Sequence, residues 1–430
     1  MPGKTGKKGN KKGKKKGASK KLPGRNETAE VVVKRLLKCY EKNCAFTESQ
    51  MCPGIRDGMK KCIENNSLLV KFILQAPDVV VPDTPPILLD PLLATLRYER
   101  YTFIRDLHIW DYPMSYNTVA SVALLMEKRF YPIRELEMMD CLLTAPHIER
   151  LSRSFRASQS LTTVSFDYNE FGDEGCYKLC LGLSGNVNVV SVSLCYCGLG
   201  VISGKLLGEM VSTTAVRDLY LDGNDLECEG VMELIQRCAD MAENEAFERE
   251  EMARRKAEQE AEEEALRKTG RYSPLRGDLS MGSGTDSARS PSPSAKKKKK
   301  KKGKKKKKKE PPPPPRVGPW ISKLHIANNG IDGYGKGANF APVICMKLIS
   351  SLIMNSDCFA EIDLEDNLIG DLAGRELLEA LEKRAEAKLP SMKVRTTHRL
   401  NTETFSAIVK LGAGLKKKKK KGKGKKKKKK

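Results

Sequence analysis

The chain has 430 residues, a formal net charge of +25 and 13 cysteines. Three tracts, Met1–Arg25, Lys296–Lys309 and Lys416–Lys430, hold 37 basic residues and no acid, so the rest of the chain carries −12. This excludes a uniformly basic domain and describes an acidic body with three cationic arms, because blocks of like charge repel and stay unfolded.

Residues 1–26 are expected to form a disordered lysine-rich tail. Within 27–68, Ala29, Val32, Val33, Leu36, Leu37 and Tyr40 fall at helical spacing, and a second helix follows Pro53. This segment reads as a helical N-terminal cap. From 69 to 236 one pattern recurs. Leu161, Val164, Phe166, Asn169 and Phe171 occupy positions 1, 4, 6, 9 and 11 of a unit. Val189, Val192, Leu194, Cys197 and Leu199 repeat it, as do Val216, Leu219, Leu221, Asn224 and Leu226. Upstream, Ile104/Leu107/Ile109/Tyr112/Met114 and Ile133/Leu136/Met138/Cys141/Leu143 fit the same offsets. Leu69, Phe72 and Leu74 form a worn first unit with Pro77 at the ninth position. Apolar residues at 4 and 6 suit a short strand. Gly175 and Gly230, four places past position 11, open a helical half. No such unit buries its apolar face alone, so the units must stack.

Residues 237–316 interrupt the pattern. A Glu/Ala/Arg/Lys-rich stretch to Lys268 predicts an exposed helix. It is followed by a disordered Ser/Pro segment, the second lysine tract and the extended run Pro311–Pro315. The pattern resumes in 317–412 with Ile321/Leu324/Ile326/Asn329/Ile331 and Phe359/Ile362/Leu364/Asn367/Ile369. Leu389, Met392 and Val394 are expected to open a last, worn unit, and 413–430 is a second lysine tail. A long loop adds little closure entropy, so one array interrupted by an insertion explains both halves.

The unit resembles the leucine-rich repeat, in its long ribonuclease-inhibitor-like form, where Cys and Asn alternate at the ninth position as Cys141, Asn169, Cys197 and Asn224 do here. The resemblance implies an α/β fold: a horseshoe solenoid with a parallel sheet on its concave face and helices outside. It implies protein–protein binding and no enzyme activity. Intracellular members of this subfamily include dynein regulatory complex subunits of flagella, tropomodulin-like caps and the Ran GTPase-activating protein.

Chemistry is sparse. Gly330–Lys336 has phosphate-loop spacing, but Gly337 stands where Ser or Thr would bind magnesium. The spacing of Cys39, Cys44, Cys52 and Cys62 matches no zinc motif, and the histidines form no triad. No catalytic residue, metal site, cofactor or small-molecule substrate is expected. Thirteen cysteines without a secretory signal argue for free thiols in a reducing compartment, and the absence of an 18-residue apolar run argues against a membrane span.

Positions 3, 5, 7 and 8 face the hollow of such a solenoid. Position 3 carries Asp106, Glu135, Asp218 and Glu361; position 5 carries Glu137, Tyr220 and Asp363, with His108 and His325. Position 7 carries Trp110, Asp167, Asp222 and Glu365, and position 8 carries Asp111, Asp140, Tyr168, Tyr196 and Asp366. Only Arg105, Arg134, Arg217 and Lys323 oppose these acids. The face is either a solvated acidic surface or a docking site for a basic partner segment with aromatic anchors; the chain's own lysine tails could also compete for it. The tails suit polyanions, tubulin tails or RNA, with little selectivity. Ser273, Ser290 and Ser292 precede proline and are candidate phosphorylation sites. The favoured expectation is a cytoplasmic, cytoskeletal scaffold of the cilium or flagellum axoneme. The alternatives are a nuclear or nucleolar RNA-associated scaffold and a GTPase-activator-like regulator.

Overall fold

The computed structural model describes residues 27–76, 84–268 and 315–412. The lysine tracts, Pro77, Ser273, Ser290, Ser292 and Pro311 to Pro314 lie outside these residues. Nine strands form one parallel sheet in chain order: β1 (Lys71–Gln75), β2 (Asp106–Trp110), β3 (Glu135–Met139), β4 (Thr163–Ser165), β5 (Ser191–Ser193), β6 (Asp218–Tyr220), β7 (Lys323–His325), β8 (Glu361–Leu364) and β9 (Lys393–Thr396).

Helices alternate with these strands. α1 (Ala29–Phe46) and α2 (Pro53–Glu64) precede the sheet, followed by α3 (Asp90–Tyr98), α4 (Tyr116–Met126), α5 (Ala145–Phe155) and α6 (Gly172–Leu183). α7 (Val201–Thr213), α8 (Glu227–Lys268), α9 (Ala341–Asn355), α10 (Gly370–Glu386) and α11 (Thr402–Gly412) complete the set. This is an α/β leucine-rich-repeat solenoid. Helices are wider than strands, so a stack of such units curves toward its sheet.

The period-2 burial follows from the pleat. Val164, Val192, Leu219 and Leu324 stand opposite one another on β4 to β7, all fully buried, while the residues on either side are half-buried. The pairing Leu219↔Leu324 joins the two halves directly across the insertion. Between the helices, α7 and α8 approach so closely that a Cβ on Gly204 would lie 2.1 Å from the Gly230 carbonyl oxygen. Any side chain at that crossing would push the two backbones apart.

Position 9 works as a ladder. Asn169 accepts from the backbone N–H groups of Cys141 and Leu143, both at 3.0 Å, and donates to the carbonyls of Met138 and Phe166 at 2.8 Å. Asn224 does the same for Cys197, Leu199, Leu194 and Leu221. Cys141 and Cys197, with a single S–H, each reach the preceding carbonyl, of Ile109 and Phe166, at 3.3 Å. Asn329, first after the insertion, donates to Leu221 and Ala327, but among the described residues its buried Oδ1 accepts nothing.

At the N-terminal end, α2 packs on β1, and α1 packs on α2 and α3. Val33, Leu36 and Tyr40 are fully buried, and the Tyr40 hydroxyl accepts from the Cys52 N–H at 3.2 Å. At the other end the expected register is corrected. Val394 pairs with Ile362 and Thr396 with Leu364, so they hold positions 4 and 6, two residues later than Met392 and Val394 were placed. A slide of two residues keeps the same face inward, so apolar alternation alone does not distinguish the registers. Arg384 accompanies the shift: buried, it donates to the carbonyls of Ile353, Ser356, Phe359 and Pro390 and ties the end of α10 to the preceding turn.

The repeats belong to one compact unit, Met1–Glu245 with Pro315–Lys430. Its packing runs past 236, since Cys238, Ala239 and Ala242 are buried and Arg316 lies over the Trp320 ring at 3.7 Å. A second unit, Ala246–Pro314, is described only through Lys268, as exposed helix with Glu251–Arg255 and Glu264–Lys268 ion pairs. Arg254 turns to Glu251 and Glu258, and not to Glu250 at the i,i+4 spacing that the sequence also offers. All 13 cysteines are free. Ala338–Asn355 has the length and hydropathy of a membrane span, but its inner face, including Cys345, Ile349 and Ile353, lies in the core of the repeats.

Candidate functional site

The solvent-facing side of the sheet presents positions 3, 5 and 7, and position 8 starts the turn beyond each strand. From β2 to β8 position 8 always has positive φ: Asp111 53°, Asp140 49°, Tyr168 59°, Tyr196 54°, Gly223 71°, Asn328 49° and Asp366 56°. Asp, Asn and Gly are the residues that tolerate this conformation. The turn therefore explains three acids of the face, Asp111, Asp140 and Asp366. It does not explain Tyr168 and Tyr196.

Those two rings are stacked 4.8 Å apart at 6°, with Tyr168 51% and Tyr196 43% exposed. The Tyr196 ring continues over Gly223, where a Cβ would come within 2.2 Å of it. Beside the rings, the sheet floor is made of small side chains: Thr163 and Ser165 on β4, Ser191 and Ser193 on β5, and Cys195 beyond it. The arrangement is an aromatic wall above a floor of hydroxyl groups.

Eight of the twelve acids on this face have partners within the protein, Asp111 among them through the Gln75 amide at 3.3 Å. At the C-terminal end, Glu361 meets Lys393 at 3.0 Å and Asp363 meets Arg395 at 2.9 Å. Both cations lie on β9, in the worn last unit. Asp218 pairs with Lys323 at 3.0 Å, and the same ammonium donates to the Tyr220 hydroxyl at 3.2 Å. Asp167 accepts from the Ser193 hydroxyl at 2.7 Å and the Cys195 N–H at 2.8 Å, and Asp222 accepts from the Ala327 N–H at 2.8 Å. Burial raises the carboxyl pKa of both Asp167 and Asp222.

At the N-terminal end, His108 sits against Glu135 at 3.3 Å and Glu137 at 2.9 Å, and Trp110 Nε1 donates to Glu137 at 2.8 Å. Contact with His108, more than any other influence, lowers the Glu137 pKa. His325 has a looser setting, 3.9 Å from Asp222 and 3.6 Å from Glu361. Asp106, Asp111, Asp140, Glu365 and Asp366 carry no ion pair among the described residues. Charge is thus concentrated at both ends of the face, with the tyrosines and hydroxyls between.

The phosphate-loop look-alike is closed by α8. Lys336 pairs with Glu229 at 3.0 Å, and a Cβ on Gly335 would lie 2.6 Å from a Glu227 carboxylate oxygen. Two carboxylates at that point repel a phosphate. The turn cysteines are set apart from thiolate chemistry by burial, which pushes the Cys141 thiol up to about 12 and Cys197 higher.

Residues 157–180, which include β4 and most of α6, match the "Leucine Rich repeat" family. Together with the parallel sheet and the ladder, this match supports a leucine-rich-repeat solenoid similar to the ribonuclease-inhibitor-like kind, a fold that serves as a protein-binding scaffold. Ribonuclease inhibitor of Sus scrofa is 31% identical over 136 residues, 30% of this chain and 29% of the inhibitor. The mouse (Mus musculus) NACHT, LRR and PYD domains-containing protein 1a is 31% identical over 80 residues, 19% of this chain and 7% of that protein. The aligned part therefore spans less than a third of either relative.

Proposed function

We propose that this chain is a non-enzymatic scaffold that receives a basic protein segment on its concave face, with Tyr168 and Tyr196 as anchors, and that its lysine tracts hold it on acidic tubulin tails in a cilium or flagellum. The observation that carries the docking reading is the tyrosine pair. Two half-exposed aromatic rings occupy a backbone conformation that every neighbouring repeat gives to Asp, Asn or Gly. Such local strain is retained where something other than stability is served. Aromatic faces take guanidinium and ammonium groups, and Asp111 and Asp140, which have no ion pair among the described residues, add charge of the complementary sign. The inhibitor relative is named for a protein that it inhibits, in keeping with a protein ligand here. The tubulin part rests on charge: 37 basic residues in three acid-free tracts bind acidic polymers by releasing counterions.

The test is imaging of the tagged full chain in ciliated cells, with a photo-crosslinking residue placed at 196 and, as a control, at the helix position 202. Axonemal signal and an adduct formed from 196 but not from 202 are expected. Nucleolar signal would replace the tubulin reading by the RNA one. Equal adducts from both positions would move the binding surface off the concave face.

A further inference from the structure

His108 is 2% exposed, and neither of its ring nitrogens has a hydrogen-bond partner of good geometry among the described residues. Yet Glu135 Oε1 lies 3.3 Å from Nε2 and Glu137 Oε2 2.9 Å from Nδ1. The carboxylates are close to the imidazole without lying along its N–H directions. A buried imidazole left in that state has unsatisfied in-plane nitrogens, which is costly unless something else fills them.

We propose that His108, Glu135 and Glu137 bind a single zinc ion on the concave face. One donor atom from each residue lies within 4.8 Å of the others. Ligands at ~2.0–2.1 Å from a tetrahedral ion stand about 3.4 Å apart, so an ion on Nδ1 would find Glu137, 2.9 Å from that nitrogen, already near this spacing, with Glu135, now beside Nε2, as the residue that moves. Glu135, 40% exposed, has the freedom to complete the set by a side-chain rotation. Glu137 is held in place by the Trp110 indole N–H at 2.8 Å, the kind of outer-shell bond that orients metal-bound carboxylates. One imidazole and two carboxylates suit a borderline divalent ion.

The same fold supplies an internal comparison. His325 also holds position 5 and faces two carboxylates, but its contacts are 3.9 and 3.6 Å, and Glu361 is bound by Lys393 at 3.0 Å. Among the described residues it faces one acid without a Lys or Arg partner, Asp222, where His108 faces two. Of these two histidines, His108 therefore has the donor set without competing cations among the described residues.

The experiment is zinc titration of the chelator-stripped full chain by calorimetry, with Trp110 emission followed in parallel. One equivalent of zinc should bind and change the emission. His108→Gln and Glu135→Gln should each weaken binding by ~100-fold or more, since loss of even an outer-shell partner costs ~10–100-fold. His325→Gln should leave affinity and stoichiometry unchanged. Cobalt substitution should give a nitrogen/oxygen ligand-field spectrum with no thiolate charge-transfer band. Glu135→Gln keeps the side-chain shape, so it carries the test if His108→Gln fails to fold. Absence of binding at micromolar zinc would overturn the proposal and leave a histidine paired with two acids. Binding that survives both substitutions, or a thiolate band, would overturn it in favour of the cysteines.

Discussion

The rings of Tyr168 and Tyr196 stack 4.8 Å apart and 6° from parallel, each on a left-handed backbone at the same position of adjacent repeats. Left-handed conformation costs a Tyr ~1–2 kcal/mol, and an aromatic pair returns ~0.5–1.5 kcal/mol. Tyr168→Asn and Tyr196→Asn should therefore change stability by less than ~1 kcal/mol each. Capture of a basic partner segment should nevertheless be lost. Urea melts and partner binding, measured on the same proteins, separate the two effects. A large loss of stability would make the pair structural.

The asparagine ladder predicts unequal losses from equal substitutions. Asn224→Ala leaves the buried N–H groups of Cys197 and Leu199 without an acceptor, in addition to two carbonyls. Asn329→Ala removes only two donated bonds, because the Asn329 Oδ1 accepts nothing among the described residues. Leaving a buried group unpaired costs ~1–3 kcal/mol, so Asn224→Ala should be the more destabilising by about that amount. Denaturant midpoints for the two variants give the comparison directly.

The insertion should be removable only within narrow limits. Deleting 246–314 and joining Glu245 to Pro315 by a flexible linker should leave one cooperative transition, because β6 and β7 pair directly. Deleting 237–316 should cost ~2 kcal/mol or more. It removes the buried Cys238, Ala239 and Ala242, and with them Arg316 over Trp320. Two separate transitions in the shorter deletion would mean that the halves fold independently.

Two acids of the face should respond to pH with opposite signs. Contact with His108 lowers the Glu137 pKa, so its stabilisation is complete above the unfolded value of about 4.3 and is lost as pH falls through the folded value. Burial raises the Asp167 pKa, so between the unfolded value of about 3.9 and the folded one the native state holds more protons, and acidification stabilises it. Melts from neutral pH to pH ~3.5 should show Glu137→Gln removing part of the acid-induced loss and Asp167→Asn steepening it. The same slope in both variants would contradict the assignment.

The strand register from β1 to β8, the ladder residues and the resumption of the array at Ile321 were legible in the sequence, because each depends on a local period that the pleat and the turn impose. The left-handed turn at position 8 is hinted at by Asp111, Asp140, Gly223, Asn328 and Asp366, of which the three aspartates read equally well as charge. Tertiary structure decided the rest. Lys393 neutralises Glu361, Arg395 neutralises Asp363, and Asp167 is committed to Ser193 and Cys195, although the members of each pair lie 26 to 32 residues apart. Arg384 was unreadable as a staple, because its four acceptors are backbone carbonyls that any sequence carries. A repeat pattern assigns each side chain to a column of the sheet; which neighbours in that column satisfy or neutralise one another depends on side-chain reach between stacked strands, a distance that exists only once the chain is folded.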